Sequence, residues 1–182
     1  MSLLTLDGVA CLRGGRLLFE GLGLTLGAGE AALVSGPNGA GKSSLIRLAA
    51  GLLRPAAGTV ERADAALSDE HLALDERQRL GDALGFWVKD RAPGMAAMGL
   101  TQLAGVPVHM LSAGQRKRAA LARVVASGAP LWLLDEPGNG LDADGLARLD
   151  AAMAAHRAAG GAILAATHQP LGLDGARKVE LG

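Results

Sequence analysis

A nine-residue stretch, Gly36-Pro37-Asn38-Gly39-Ala40-Gly41-Lys42-Ser43-Ser44, constrains this chain more than any other. It satisfies the spacing G-x-x-x-x-G-K-[ST], with Gly36, Gly41, Lys42 and Ser43 at the fixed positions. Residues Glu30 to Ser35 before it read as a short buried strand, and Ser44 to Ala50 after it as a helix with an apolar face. Strand, glycine loop and helix are the context in which this spacing cradles phosphate. Glycines at 36, 39 and 41 let backbone N–H groups turn inward, and the helix start adds partial positive charge. Lys42 is then expected to reach the β- and γ-phosphates of a nucleoside triphosphate, with the Ser43 hydroxyl on Mg²⁺. A plain glycine turn before a helix does not account for four fixed positions with both flanks in place.

The 182 residues suffice for one domain with a sizeable core. Apolar residues make up 49% of the chain but aromatics only 2%, with no Tyr, so Ala, Leu and Gly must do the packing. Lys+Arg 18 balances Asp+Glu 18, which gives no general electrostatic case for nucleic acid or anionic lipid. The single Cys11 cannot form an internal disulfide. The first residues lack a basic segment ahead of their apolar ones, so they do not read as a signal peptide. No run is apolar enough to span a bilayer, so any work at a membrane is expected through a partner.

Along the chain, Leu3–Asp7 and Val9–Leu12 read as edge strands, and Leu22–Leu26 alternates like a half-buried one. An antiparallel β-layer beside the nucleotide core is expected there. Thr59-Val60 begins one more short strand. The stretch from about 64 to 110 reads as a helical insertion, and with the helix that follows it forms a helical subdomain over about 64–127. Within it, Met95 to Leu103 is expected to be helical. Leu131–Leu134 is a wholly apolar run, expected as a buried parallel strand ending in Asp135-Glu136-Pro137. A helix over Ala143–Ala159, a buried strand over Ala162–Thr167 and a final edge strand over Arg177–Leu181 complete the pattern. The fold class is α/β: a mostly parallel core sheet flanked by helices, with an N-terminal antiparallel β-layer and a short helical subdomain.

Ligands gather at strand C-termini in such sheets. Asp135, at a strand tip, is placed to hold Mg²⁺ directly or through water, and Glu136 to orient or deprotonate an attacking water. His168 follows another buried strand and is expected at the γ-phosphate. Leu111-Ser112-Ala113-Gly114-Gln115 opens a further helix, with Ser112 a capping residue. Its start is a second phosphate-binding surface. One nucleotide does not need two helix starts from opposite sides unless two chains share it.

The order GPNGAGKSS, LSAGQ, LWLLDEP, GLD and then His168 resembles the ATP-binding cassette family over nearly the whole chain. That resemblance implies an ATP-dependent, head-to-tail homodimer. In it Ser112, Gly114 and Gln115 meet the nucleotide on the partner's loop, and Asp142 belongs to the dimer interface. Cys11–Phe19, LSAGQRKR with Ala-Leu-Ala-Arg123 after it, Trp132 and Thr167–Leu171 narrow the resemblance to the ATPase subunits of haem exporters in c-type cytochrome maturation. This implies a peripheral ATPase on the cytoplasmic face of the inner membrane. Its partners would be membrane subunits resembling CcmB and CcmC, with CcmD, and indirectly the haem chaperone CcmE. Hydrolysis would be coupled to haem export or to CcmE release.

Departures from the family pattern leave some positions open. Where the family offers an aromatic ring to adenine, this chain has Arg13 and Arg16, either a stacking plane or surface charges. Where it brings a glutamine to Mg²⁺, the chain reads Leu67-Ser-Asp-Glu-His71, with Glu70 or His71 as stand-ins. LSAGQ has Ala113 where Gly is commoner. Phe86, Trp87 and Met95 either dock a partner helix or form the insertion's own core. Arg116, Lys117 and Arg118 are either a solvated helix face or a partner contact. The alternative functions are the ATPase of another transporter and a nucleotide-switched binding module with little turnover.

Overall fold

A computed structural model describes residues 1–182. Strands β1 (Ser2–Arg13) and β2 (Arg16–Gly27) form a long antiparallel hairpin across the turn at Gly14-Gly15. Strand β4 (Ala57–Arg62) pairs antiparallel with β1, giving a three-stranded layer in the order β2-β1-β4. The two edge strands expected over residues 3–12 are thus one continuous strand, bent by register shifts between Leu6 and Cys11.

The second sheet is wholly parallel. It contains β3 (Ala31–Ser35), β5 (Ala65–Ser68), β6 (Leu131–Asp135), β7 (Ala162–Ala166) and β8 (Arg177–Glu180), in the order β5-β6-β7-β3-β8. Strand β5 corrects the sequence reading at one point: residues 65–68, expected inside the helical insertion, pair with β6 as an edge of the core sheet. Four residues in a polar neighbourhood give too short a pattern to announce a strand. The helical residues begin only at Leu80, with α2 (Leu80–Trp87), α3 (Ala92–Ala97) and α4 (Ala113–Ala126). Helix α3 starts earlier and stops sooner than the helix expected over 95–103, because Pro93 suits a first turn and Gly99 turns the chain out with φ 65°. Helices α1 (Lys42–Ala49) and α5 (Ala143–Ala158) stand where expected.

The apolar runs follow from burial on both faces. In β6, Trp132 and Leu134 face one core with Ile163 and Ala165 of β7, while Leu131 and Leu133 face a second with Leu164. The first core fills the space under the helical subdomain, and the second lies between the sheet, α1 and the antiparallel layer. A parallel strand covered on both sides needs apolar residues at every position. Trp132 stacks flat on His156 of α5, with ring centroids 3.9 Å apart, and burial pushes the His156 imidazole below its ordinary range.

Helix α3 lies so close to α4 that a Cβ on Gly94 would run into the Ala122 carbonyl. Gly94→Ala therefore forces the two helices apart. It should destabilise the protein by about 1–3 kcal/mol, read as a lowered unfolding midpoint, while an unchanged midpoint would contradict this packing.

Candidate nucleotide site

The glycine loop leaves the end of β3 and enters α1 with Gly41 as its N-cap, at φ 104°. Gly36 and Gly39 also take positive φ, 138° and 83°. A side chain at Gly41 would be strained there and would come within 3.1 Å of the Phe19 ring, which packs beneath the loop. Lys42 is buried. Its ammonium donates to the carbonyls of Gly36 at 2.7 Å and Pro37 at 3.0 Å, so it is held across the mouth of the loop. The Ala40 N–H bonds the Pro37 carbonyl, closing the turn around Asn38 and Gly39.

A cavity of about 550 Å³ opens over this loop. Its floor is Asn38, Gly39, Gly41, Lys42, Ser43 and Ser44, and its far wall is Glu136, Asn139 and His168. The rim carries Arg13 and Leu18 from the hairpin. Arg13 therefore reaches the cavity, and Arg16 is not among its lining residues. Asn139 and Leu18 were not anticipated from the sequence. Asn139 sits in the turn after β6, whose Pro-Gly-Asn-Gly composition signals the turn but not its direction.

The carboxylates at the tip of β6 differ in environment. Asp135 is buried, and one of its carboxylate oxygens, Oδ1, has no hydrogen-bond partner. Burial raises its pKa above the usual carboxylate range and Glu136 adds to this, while a hydrogen bond from Ser43 works in the other direction. A buried oxygen without a partner, beside a hydroxyl, fits a hard cation that takes oxygen ligands. Glu136 is the one non-glycine residue with positive φ, 46°, and its N–H is tied to the Ala166 carbonyl at 2.8 Å. That backbone costs about 1–3 kcal/mol and turns the carboxylate out of the strand line. The carboxylate accepts from the His168 N–H at 3.3 Å and lies 3.4 Å from His168 Nε2. Glu136 and His168 thus form a pair on the cavity wall.

The remaining predicted residues lie apart from this cavity in the same chain. Ser112 caps α4 in a reciprocal box with Gln115: its Oγ accepts from the Gln115 N–H at 3.2 Å, and Gln115 Oε1 accepts from the Ser112 N–H at 2.9 Å. A Cβ on Gly114 would approach the Gly140 carbonyl to 3.2 Å, so this segment packs on the turn following β6. Asp142 caps α5, accepting from the Gly145 N–H at 2.8 Å. None of Ser112, Gly114, Gln115 or Asp142 lines the nucleotide cavity.

The open positions resolve in part. The Glu70 side chain is 77% exposed, 3.5 Å from Arg47, and the His71 side chain is 72% exposed, so both point outward. Asp69, at 18%, turns inward. The register Ser68 opposite Leu134 carries Asp69 to the side of Asp135. Sequence reading missed Asp69, although it repeats the pattern of an acid directly after a short apolar strand. Met95 is in the core, whereas Phe86 and Trp87 stay 79% and 49% exposed. Arg116, Lys117 and Arg118 are all partly buried rather than a solvated face. Arg116 donates to the Leu111 carbonyl, Arg118 to the Met98 carbonyl, and Lys117 lines a small cavity with Asp69 and Glu76.

A profile of the ABC transporter family matches residues 19–139, and the chain belongs to that family, whose domain binds ATP. Solved structures agree on the fold. The ATP-binding subunit of an ABC transporter superposes with a TM-score of 0.83 at 23% identity, covering 91% of this chain and 79% of that one. A nucleotide-free ATP-binding cassette superposes at 0.78 and 19% identity, covering 93% and 82%. Among curated proteins, the chain is 58% identical to the cytochrome c biogenesis ATP-binding export protein CcmA of Sphingopyxis alaskensis, over 99% of this chain and 97% of that protein. It is 59% identical to the CcmA of Novosphingobium aromaticivorans, over 95% and 92%.

Because burial raises the Asp135 pKa, this carboxylate binds its proton more tightly folded than unfolded. Its contribution to stability is complete below the ordinary aspartate range and is lost as pH rises through the elevated value. Asp135→Asn should therefore raise the unfolding midpoint of the nucleotide-free protein at neutral pH. The gain should shrink towards pH 4, and Mg²⁺-dependent nucleotide binding should be lost. Thermal unfolding as a function of pH checks this, and a lowered neutral-pH midpoint would contradict it.

Proposed function

We propose that this chain is the ATP-hydrolysing subunit of a haem exporter in c-type cytochrome biogenesis. Likeness to the CcmA proteins over nearly the full length of both chains supports the biological role. The observation that carries the chemistry is the cavity where Lys42, Ser43 and the loop amides face Glu136 and His168. Lys42 and the free N–H groups at the start of α1 hold the phosphates. Ser43 and Asp135 would be the protein ligands of Mg²⁺, which would supply positive charge to offset that of the β- and γ-phosphates. Glu136 accepts a proton from, or aligns, the attacking water, and His168 holds Glu136 in place and contacts the γ-phosphate. Arg13 is the cavity's candidate for the base.

Ser112, Gly114 and Gln115 lie away from this cavity, and their assigned role is in a second copy's site. Ser112 and the start of α4 offer donors to a phosphate brought from outside. ATP thereby joins two copies head to tail, with Asp142 near the junction, and hydrolysis releases them. No helix of this chain is long and apolar enough to cross a membrane. The assigned place is the cytoplasmic face of the inner membrane, on subunits resembling CcmB and CcmC with CcmD, and the downstream event is haem export or CcmE release. The exposed pair Phe86 and Trp87, in edge contact at 5.3 Å, is the candidate docking point.

Glu136→Gln should bind MgATP but hydrolyse it at least about a hundredfold more slowly, accumulating dimers visible by analytical ultracentrifugation. A wild-type rate in this variant would remove Glu136 from the chemistry. In cells lacking the native protein, wild-type chain should restore covalent haem on c-type cytochromes and Glu136→Gln should not. Restoration by both would refute the coupled-ATPase reading.

A further inference from the structure

The start of α5 is tied to α4 at two points. At the first, Asp144 in the opening turn of α5 is shared by two arginines. Its Oδ2 accepts from Arg148 Nε at 2.8 Å and from Arg118 Nη1 of α4 at 3.4 Å. The same Arg118 nitrogen donates to the Met98 carbonyl at the end of α3, also at 3.4 Å. The Arg118 side chain is 16% exposed, so that end of the bridge is shielded from water. Arg148 packs against the turn at Gly99, where a Cβ would come within 2.8 Å of its guanidinium carbon. One carboxylate thus gathers α3, α4 and α5. The second point is Gly114, where a Cβ would approach the Gly140 carbonyl to 3.2 Å.

The two points are spaced alike on both segments. Gly114 and Arg118 are four residues apart, as are Gly140 and Asp144. On α4 that spacing is about 6 Å along the axis. A contact made by a glycine against a backbone carbonyl is a pivot, because no side chain there resists rotation. The Arg118–Asp144 bridge, one turn further on, fixes the angle about that pivot. Two helix caps flank the pivot: Ser112 at the start of α4 and Asp142 at the start of α5. A pair at i,i+4 such as Asp144 and Arg148 ordinarily supports its own helix alone. Here Arg118 arrives from a different helix, and the pair becomes a link between elements.

We propose that Asp144 is a positioning residue for the two-copy site: with Arg118 and Arg148 it sets the start of α5 against α4, so that Ser112 and Asp142 meet a second copy in one arrangement. This rests on the reading in which ATP joins two chains. Asp144 touches neither nucleotide nor water in that arrangement and acts only through the elements it holds.

The test measures the dimer dissociation constant of full chains carrying Glu136→Gln, with saturating MgATP, by analytical ultracentrifugation. Asp144→Asn should raise it about tenfold, because a dimer carries two such bridges and each is worth the few-fold effect of a partly shielded ion pair. Binding of fluorescent ADP by the single chain should not change. Arg118→Gln should act alike, and the double variant should be no worse than either alone. Asp144→Glu, which keeps the charge, should recover most of the lost affinity. A lowered unfolding midpoint with an unchanged dimer constant would make the bridge a structural brace only and overturn the proposal, as would additive losses in the double variant. Failure of the Glu136→Gln chain itself to dimerise with MgATP would instead remove the two-copy reading, and the role of Asp144 with it.

Discussion

The burial of β6 and β7 on both faces is the constraint on which the site depends. Leu131 to Leu134 and Ala162 to Ala166 have no polar option, so the first charged or polar groups appear only where the strands end. Because the sheet is parallel, those ends are all at one edge. Asp135, Glu136 and His168 emerge there, opposite the loop that β3 delivers from the same edge. The site is thus a consequence of sheet direction: the parallel strands place the glycine loop, Glu136 and His168 around one cavity, with the buried Asp135 next to Glu136 in the chain.

Two adjacent carboxylates then acquire different chemistry from their surroundings. Asp135 continues the strand, stays buried and keeps an oxygen without a partner. Glu136 departs from the strand through a left-handed backbone and ends beside His168. Burial pushes the Asp135 carboxyl above the usual carboxylate range. Neighbouring residues thus end differently, one carboxylate buried at the strand tip and the other on the cavity wall beside His168.

How much was legible in the sequence depended on the length and sharpness of each signal. The glycine loop, the apolar run of β6 and the LSAGQ stretch with its capping Ser112 each carry several fixed positions, and the structure has the loop, strand and helix where they announce them. Strand β5 offers only four residues in a polar setting, so it was read as insertion, and Asp69 was lost with it. The choice between Glu70, His71 and Asp69 is a matter of side-chain direction, which alternates with register and is invisible until the strand is placed. Arg116 to Arg118 read as a solvated run because charge usually is. Here Arg116 bonds the Leu111 carbonyl just before α4 and Arg118 the Met98 carbonyl at the end of α3, so the long side chains lie along the neighbouring chain. Burial of Met95 beside exposure of Phe86 and Trp87 likewise depends on how α2 and α3 pack, not on composition.

The central claim is that each nucleotide site is built from two copies of the chain, one giving the loop around Lys42 and the other the α4 start at Ser112. The most direct measurement is ATP hydrolysis by a mixture of Lys42→Ala and Ser112→Arg chains, each inactive alone. In a mixed dimer one site regains both an intact loop and an intact α4 start, so activity should return on mixing and rise with the fraction of mixed pairs. A mixture as inactive as its components would contradict the shared site and return the chemistry to a single chain.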